Sequence, residues 1–273
     1  MRTIAALLTV YNRKEKTLAC LRELFAQNIP DNYILNVYLT DDGCTDGTPE
    51  AIAIEFPSVH IIKGDGSLFW NRGMYAAWSA AEKKDYDFFL WLNDDTFLFE
   101  DCIIKLLEES NNYDDKSIII GATLDSDKQK ITYSGWNGHH MLRDLTGERK
   151  VDHFNGNIVL IPREVYEKIG KNDPYYRHAL GDFDYGLRAT KAGINSIVYR
   201  QALGICDEHE TIPKWKNSNL PLIQRWKALY SVGGNGANPN EFFYYQHRHR
   251  GIATACLTYL SNHLHVLFPK FWK

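Results

Sequence analysis

Features that mark several special classes of protein are scarce or missing in this sequence of 273 residues. It has only five cysteines and no CxxC pair, which argues against a disulfide framework or a zinc knuckle and favours a reducing compartment. The longest apolar stretch of its C-terminal tail, 252–260, is too short to span a bilayer. There is no internal repeat and no Ser/Gly linker. The remaining pattern, 44% hydrophobic and 24% charged residues, is typical of a soluble globular protein with a sizeable core.

Acidic residues are almost absent from the last part of the chain. Residues 211–273 contain eight lysines or arginines and one acid, Glu241, which gives this tail a formal charge of +7 and leaves −10 on residues 1–210. The acidic body could hold metal ions, and we expect the basic tail to prefer an anionic surface. Nucleic-acid binding is disfavoured, because the basic residues are confined to the tail and the predicted cleft is acidic.

Short apolar runs alternate with segments of helical spacing over the first 113 residues. Because this rhythm is typical of right-handed βαβ units, it predicts an α/β fold with a parallel sheet. The N-terminal run TIAALLTV is interpreted as the first strand rather than as a signal peptide. The predicted strands are 3–10, 34–40, 59–62 and 87–92, and the predicted helices are 14–28, 47–56 and 73–84.

Beyond residue 113 the alternation is less regular. Predicted strands are 117–122, 129–134 and 194–199, and predicted helices are 161–170 and 182–192. The aromatic tail is predicted to be helical over 220–230 and 241–267. The sequence thus predicts a body, 1–210, with halves 1–113 and 114–210, followed by a helical extension, 211–273.

Polar clusters follow three of the predicted strands, at the edge where open parallel sheets bind ligands. They are Tyr11-Asn12-Arg13, Asp41-Asp42 and Asn93-Asp94-Asp95, and we expect them to converge in space. Adjacent carboxylates such as Asp94 and Asp95 suit Mg²⁺ or Mn²⁺. The alternative is that one of them caps a helix beginning near Glu100.

The segment DDGCTDGT, residues 41–48, also allows two interpretations. Thr45 or Asp46 could cap the following helix, while Gly43 and Gly47 supply positive φ values. Alternatively, Asp42 could face the polar edge of a bound base or sugar. The segment alone does not decide between them.

Together, TVYNR, DDGCTDGT and NDDT resemble in order and spacing the motifs of family 2 nucleotide-sugar glycosyltransferases, over roughly residues 1–210. The resemblance implies the GT-A (Rossmann-like) fold, a mixed, mostly parallel sheet flanked by helices. It also implies that Asp42 contacts the nucleobase and that Asp95 binds a metal ion, with Asp94 close to the nucleotide sugar. The residues that match the lining of the nucleotide pocket are Thr9, Tyr11 and Arg13.

The segment GDFDYGLRATKAG, residues 181–193, looks like the motif that carries this family's catalytic base. The match assigns that role to Asp182, although Gly181 stands where a glutamate is usual; a helix N-cap is the alternative. His209, 27 residues later, matches a metal ligand of metal-dependent relatives, whereas a lone histidine is more often a surface or core residue. Cys206 is assigned to packing, because a thiolate suits a hard cation poorly.

The segment GDGSLFWNRGM, residues 64–74, departs from the family pattern, since Trp70 stands where many relatives have an arginine. Trp70 could stack on the donor or on an acceptor sugar, or it could be buried at the start of a helix. We expect Asp65, Trp70 and Asn71 to contact the nucleotide sugar together with Asp94.

The resemblance implies inverting transfer of a sugar from a UDP- or dTDP-type donor to a glycan hydroxyl, with Mn²⁺ or Mg²⁺ at the leaving diphosphate and Asp182 as general base. It suggests bacterial capsule or O-antigen assembly on a lipid-diphosphate-linked acceptor, in the cytoplasm or at the inner face of the cell membrane. The tail would bind an anionic membrane, cap the body or form a homodimer.

Two other functions stay open. A sugar nucleotidyltransferase would share the fold and the metal carboxylates, but TVYNRKEKT lacks the Gly-rich triphosphate loop expected after its first strand. A non-catalytic glycan-binding protein on the same fold would be expected to have lost some of the acidic clusters, and all of them are present.

Overall fold

The structure is a computed structural model that describes residues 1–208, 213–232 and 238–271, the side chain of Phe271 excepted. These residues form two compact units. The first comprises Met1–Asp173 and Asp182–Glu208, and the second comprises Pro174–Gly181 and the described residues that follow Glu208. A domain boundary near residue 210 stays a prediction.

The first unit contains a mixed, mostly parallel sheet. Its strands, with those of a small second sheet, are β1 (Arg2–Val10), β2 (Tyr33–Asp41), β3 (His60–Lys63), β4 (Phe88–Leu92), β5 (Phe97–Leu98), β6 (Ile118–Leu124), β7 (Ile131–Tyr133), β8 (Gly135–Asn137), β9 (His140–Met141), β10 (Lys150–Val151), β11 (His153–Phe154), β12 (Ile158–Pro162) and β13 (Ser196–Ile205). The main order is β10-β13-β6-β12-β4-β1-β2-β3, with β5 beside β13 and β7 beside β6, and the small sheet is β11-β8-β9. Strands β3, β2, β1 and β4 are parallel, whereas β12 runs antiparallel to β4 and β6.

The helices lie close to their predicted positions, with three differences. They are α1 (Lys14–Phe25), α2 (Thr48–Glu55), α3 (Phe69–Ala81), α4 (Cys102–Asn112), α5 (Arg163–Ile169), α6 (Gly181–Lys191), α7 (Leu222–Tyr230), α8 (Pro239–Arg250) and α9 (Ile252–Leu267), with 3₁₀ turns at Lys214–Lys216 and Pro269–Phe271. The helix predicted from residue 161 begins only at Arg163, because Ile161 and Pro162 belong to β12. Helix α3 begins before residue 73, because the carboxylate of Asp42 accepts hydrogen bonds from its first N–H groups. The single helix predicted over 241–267 is wrong: Gly251, with φ of +88°, separates α8 from α9.

Both faces of the sheet are covered, which explains why its strands are almost continuously apolar. In β1, Ile4, Ala6 and Leu8 belong to one buried cluster, together with leucines of α1 and α4. Ala5 and Leu7 belong to the cluster on the other face, with aromatic side chains of α3, β4 and α6. The alternation along one strand therefore fixes which helices pack on each face.

The strand register brings the polar turns of the first half to one edge. Val10 of β1 is paired with Asp41 of β2, and Leu7 is paired with Trp91 of β4, so these strands end at nearly the same level. The turns that follow them are consequently neighbours.

Two further observations concern the membrane and the redox state. Among the described residues, no helix combines the length and the apolar character needed to cross a bilayer. All five cysteines lie within the described residues, and all are free thiols.

Candidate active site

Asp94 and Asp95 form a buried acidic pair in the turn after β4, with 6% and 7% of their surfaces exposed. Nη1 of Arg13, just beyond the end of β1, lies 3.3 Å from Oδ1 of Asp94 and 2.7 Å from Oδ2 of Asp95. Thr17 of α1 donates its hydroxyl to Oδ2 of Asp94 at 3.2 Å. Arg13 therefore bridges the two carboxylates, and three of the predicted site residues meet.

Burial raises the pKa of the Asp94 carboxyl to about 6. The nearby charge of Arg13 opposes this shift, whereas the charge of Asp95 adds to it. Above a pH of about 6 the Asp94 carboxyl is therefore ionised, with the guanidinium of Arg13 beside it.

Neither carboxylate of the pair caps the following helix. Helix α4 begins at Cys102, and its N-cap residue is Asp101. The oxygens of Asp94 and Asp95 face Arg13 and Thr17 instead. The structural alternative considered for this pair is therefore wrong.

The oxygens of this acidic pair are ligands of the kind that Mg²⁺ and Mn²⁺ prefer. Within the part of the chain that the structure describes, no group of three His, Cys, Asp or Glu side chains could hold a metal ion. His209, the predicted further ligand, lies outside the described residues. The described part of the chain thus supplies two carboxylates of the chemistry that such a cation prefers, and no third ligand of these types beside them.

Cys206 lies beside the pair, with Sγ 3.8 Å from Oδ1 of Asp95. Burial raises the pKa of this thiol to about 12, and the charge of Asp95 adds to the shift. The thiol is therefore neutral at physiological pH and packs against the carboxylate.

Asp42, at the end of β2, is buried against the loop that precedes α3. Its Oδ1 accepts hydrogen bonds from the N–H groups of Gly66 at 3.0 Å and Leu68 at 3.1 Å, and its Oδ2 accepts one from Phe69 at 2.8 Å. The carboxylate thus pairs N–H groups at the start of α3, where a helix has no partners of its own. Its contact with a nucleobase stays a prediction.

Two other acidic side chains stabilise turns. Oδ1 of the exposed Asp65 accepts hydrogen bonds from the hydroxyl and the N–H of Ser67 at 2.7 and 2.9 Å, which lower the pKa of the carboxyl. Asp46 accepts hydrogen bonds from the N–H groups of Thr48 at 3.1 Å and Lys14 at 3.0 Å. It therefore joins the starts of α1 and α2, although the N-cap residue of α2 is Gly47 and not Thr45 or Asp46.

Three further residues predicted in the nucleotide pocket have different surroundings. Thr9 is buried against α3 so closely that a Cβ at Gly73 would lie 2.1 Å from its Oγ1. Asn71 is fully buried and donates from Nδ2 to the carbonyl of Asp173 at 2.8 Å. Tyr11 is 57% exposed. Thr9 and Asn71 thus stabilise the packing at this edge of the sheet, whereas the side chain of Tyr11 is exposed to solvent.

Trp70 is partly buried in the first turn of α3. Its Nε1 donates to Oδ1 of Asn93 at 2.7 Å, and its ring lies edge-on to that of Trp91, with centroids 5.9 Å apart. A Cβ at Gly156 would lie 2.6 Å from the Trp70 ring, so only glycine fits there. Phe69, directly before Trp70, has φ of +57°, a strained conformation for a bulky residue.

Asp182 lies in the first turn of α6 with its side chain partly exposed. Its Oδ2 accepts a hydrogen bond from the N–H of Gly156 at 3.0 Å, and its Oδ1 accepts one from Phe183 at 2.9 Å. Burial raises the pKa of this carboxyl to about 6, although the two N–H donors oppose the shift. Such a carboxylate is ionised at pH 7 and is more basic than an ordinary aspartate.

The second acidic side chain of this helix has a structural role. Asp184 is fully buried, and its Oδ2 is 2.9 Å from Nε of Arg188, one turn further along α6. Arg188 also donates to the carbonyls of Ile169 and Lys171 at 2.6 and 2.7 Å. Asp182 is consequently the better candidate for a base.

A short segment, residues 155–157, lies between Asp182 and the acidic pair. Its Gly156 donates to Asp182 and contacts Trp70, as described above. The carbonyl of Asn157 accepts a hydrogen bond from the N–H of Asn93 at 3.1 Å, directly before the pair. The two acidic positions therefore share one edge of the sheet and one connecting segment.

Aromatic side chains lie next to Asp182. The ring centroid of Phe183 is 4.5 Å from that of His153 and 5.9 Å from that of Trp136. Trp136 donates from Nε1 to Oδ1 of Asn155 at 2.8 Å. Phe183 and Trp136 are both partly exposed, so they offer apolar surface beside the carboxylate.

The sequence interpretation did not identify Gly156 or the side-chain contact of Asn93 as parts of the site. A signal for Gly156 exists, because an isolated glycine beside a strand indicates close approach of another group. Its two neighbours, Trp70 and Asp182, come from distant parts of the sequence. The glycine alone therefore indicates that another group packs closely against this position, but it does not identify that group.

A mixed sheet covered by helices on both faces, with acidic turns at one edge, is the architecture of GT-A glycosyltransferases. The chain belongs to glycosyl transferase family 2, whose sequence model matches residues 6–170. This match confirms the resemblance and the α/β GT-A fold predicted from the sequence. Asp182 and the tail lie beyond the matched residues.

Solved structures share this fold. S. aureus TarS is 13% identical with a TM-score of 0.60, and the alignment covers 97% of this chain and 55% of TarS, so the chain spans about half of that protein's length. TarS 1–349 in complex with UDP is 12% identical with a TM-score of 0.59, over 97% and 90% of the two chains. Mannosyltransferase PcManGT from Pyrobaculum calidifontis, in complex with GDP-Man and Mn²⁺, is 15% identical with a TM-score of 0.55, over 98% and 81%. No curated protein matches the chain.

Proposed function

We propose that this protein is an inverting glycosyltransferase that moves a sugar from a nucleoside-diphosphate donor of the UDP or dTDP type to a hydroxyl of a glycan. Membership of glycosyl transferase family 2 supports the reaction class. The observation that carries the finer proposal is that Asp182, with a carboxyl pKa of about 6, lies across residues 155–157 from the buried pair Asp94 and Asp95.

Asp182 is the proposed general base. The acceptor oxygen forms a bond to the anomeric carbon while the bond from that carbon to the diphosphate breaks, and the hydroxyl proton passes to the Asp182 carboxylate. Attack from the face opposite the diphosphate inverts the anomeric configuration. No enzymic nucleophile is needed, and the N–H groups of Gly156 and Phe183 hold the carboxylate in place.

Asp95, with Asp94 and His209, would hold Mn²⁺ or Mg²⁺. The oxygen donors of the pair fit such a cation, and the PcManGT structure contains Mn²⁺, which supports the choice of metal. When bound, the cation would neutralise negative charge on the departing diphosphate. Arg13 already contacts both carboxylates, so its guanidinium supplies positive charge at the same place.

The proposed donor pocket lies between the ends of β1 and β2 and the start of α3. We assign its surface to Tyr11, Asp65 and Trp70, and its supporting wall to Thr9, Asp42 and Asn71. TarS has been solved with UDP and PcManGT with GDP-Man, so the fold accommodates more than one base. A thermal-shift screen of UDP, dTDP, GDP and CMP sugars with Mn²⁺ identifies the donor, since a ligand that binds the folded state raises its midpoint.

The proposed acceptor is a glycan, carried on a lipid diphosphate during capsule or O-antigen assembly at the inner face of the cell membrane. Trp136 and Phe183 would pack against the apolar face of its sugar ring beside Asp182. Membership of glycosyl transferase family 2 favours this function over that of a sugar nucleotidyltransferase. A non-catalytic glycan-binding protein would lack turnover with every donor.

The decisive experiment is transfer from the donor found in the screen, with the product followed by NMR. We expect the anomeric configuration of the product to be opposite to that of the donor, and activity to disappear in EDTA and return with Mn²⁺. Retention of configuration would contradict the single displacement. Full activity in EDTA would remove the metal from the proposal.

A further inference from the structure

Every exposed residue of helix α9 is apolar. These residues are Ile252, Ala253, Cys256, Leu257, Leu260, Leu264 and Leu267. Leu257 is 68% exposed and Leu260 is 59% exposed. A helix on the surface of a soluble domain normally turns its polar face to water, but here Asn262 and His263 are partly buried. The orientation of this helix is therefore the reverse of the usual one.

The exposed residues from 253 to 267 form one stripe. At 100° per residue they fall within about 100° of the helix circumference and extend for about 21 Å along its axis. Helix α7 borders the stripe: Trp226 lies edge-on to His263, with centroids 5.2 Å apart, and Tyr230 shares a 2.8 Å hydrogen bond with the same histidine. We call the stripe, together with the exposed Leu222, Ile223 and Trp226 of α7, the α7–α9 face.

Positive charge accompanies the α7–α9 face. Arg248 and Arg250 are exposed at the end of α8, directly before α9, while Lys270 is exposed after α9 and Lys227 on α7. The single acid of residues 211–273, Glu241, is buried and lies 2.5 Å from Nε of Arg177. The described part of the tail therefore has no exposed acidic side chain.

We propose that the α7–α9 face binds the surface of an anionic lipid bilayer. Apolar side chains that are accompanied by basic residues and by a tryptophan, here Trp226, suit the headgroup region of a bilayer. Helix α9 would lie there in the plane of the membrane. A second copy of the chain is a poorer occupant, because two tails of +7 would repel each other across the contact. A neutral apolar partner would offer no negative charge for the basic residues to contact.

This proposal is independent of the transferase chemistry, because vesicle binding needs neither donor nor acceptor. The full-length protein is sedimented with vesicles of phosphatidylcholine alone and with vesicles of phosphatidylcholine and phosphatidylglycerol in equal amounts. We expect binding to the anionic vesicles that weakens as salt is raised.

Two sets of variants separate the apolar and the ionic contributions. The triple variant Leu257→Gln, Leu260→Gln and Leu264→Gln should weaken binding at least about tenfold, because it removes the inserted side chains. Its control is Ile54→Gln, which alters an 84% exposed side chain of α2 and should change nothing. Arg250→Gln with Lys270→Gln should weaken binding on the order of tenfold, and Lys83→Gln with Lys84→Gln is its control.

Absence of binding to anionic vesicles would overturn the proposal, as would binding that survives the triple leucine substitution in a variant with unchanged circular dichroism. Sedimentation velocity adds a second readout. A wild-type dimer that becomes a monomer in the triple variant, without vesicle binding, would make the α7–α9 face a homodimer contact instead.

Discussion

Two carboxyl groups at the edge of the sheet, Asp94 and Asp182, have pKa values raised to about 6 by burial, but their neighbours differ. Asp94 lies beside a cation, Arg13, and a second carboxylate, Asp95. Asp182 is held by backbone N–H groups from Gly156 and from its own helix. The first arrangement suits the binding of charge, and the second suits the transfer of a proton.

The first prediction concerns Asp182 itself. Asp182→Asn keeps the shape of the side chain but removes its basicity, so we expect kcat to fall by at least about a hundredfold. Steady-state kinetics measure the fall. Donor binding and the thermal midpoint should stay close to those of the wild type. Near-normal turnover would remove Asp182 from the mechanism.

The pKa of Asp182 also predicts a pH dependence. Below a pKa of about 6 the carboxyl is protonated and cannot accept the acceptor's proton, so the rate should rise with pH through this value and level off above it. The measurement is kcat against pH at saturating substrates, with buffers matched for ionic strength. A rate that is flat across this range, or that falls as pH rises, would contradict the assignment.

The close packing around Gly156 gives a third prediction, which concerns kcat. In Gly156→Ala the added methyl group would meet the Trp70 ring at 2.6 Å and so displace it, beside the Asp182 side chain, whose Cβ lies 3.4 Å from the same position. We expect kcat to fall by about tenfold to a hundredfold. Gly147→Ala is the matched control, because no atom lies within 4 Å of the corresponding position. Equal activities for the two variants would show that the contact is unimportant.

At the scale of elements, the packing of α3 on β1 depends on one pair of residues. Gly73→Ala would bring a methyl group within 2.1 Å of the Thr9 hydroxyl, and we expect a loss of about 1–3 kcal/mol in the free energy of unfolding, measured in urea. Thr9→Ala should relieve part of the clash in the double variant, because it removes the hydroxyl but keeps the Cβ, which would lie 2.8 Å from the added methyl group. Additive effects of the two substitutions would contradict direct contact.

The elements of the first half could largely be predicted, because each of its apolar runs matches a strand. Strands β1 and β4 are almost entirely buried, whereas β3, at the end of the sheet, is only partly buried. The start of α3 could not be predicted, since its N–H groups are paired by Asp42 from another strand. The break at Gly251 could not either, because a single glycine inside a helical pattern is often tolerated.

The residues that belong to the candidate site could be predicted from the sequence better than the contacts that these residues make. Motif order gave Arg13, Asp94 and Asp95, which do meet. The surroundings of Asn71 depend on Asp173, about a hundred positions away, and no local pattern contains that information. The role of a residue that depends on contacts with distant parts of the sequence can be assigned only from the folded structure.

At the scale of the whole molecule, the tail helices contact a segment of the body's sequence. Within the second unit, Tyr244 of α8 packs on Tyr175 and Tyr176, with ring centroids 4.1 and 5.7 Å apart. Arg177 forms an ion pair with Glu241 of the same helix. These contacts anchor residues 175–177 on α8, and α6 begins shortly after them, at Gly181.

This anchoring gives a further prediction. Tyr244→Ala should speed amide hydrogen exchange over residues 174–181 and lower kcat several-fold, because the start of α6 becomes less restrained. Phe243→Ala is the control, since its ring contacts Tyr259 of α9. Identical exchange in both variants would show that α8 does not restrain residues 174–181.

Residues 155–157 have a consequence for the engineering of new specificities. Because this segment joins Trp70, Asn93 and Asp182, residues 1–113 and 114–210 are not interchangeable modules. A hybrid enzyme that takes its second half from a relative would place that relative's residue, and not Gly156, against the ring of Trp70. Successful grafts will have to carry the tryptophan and the glycine together.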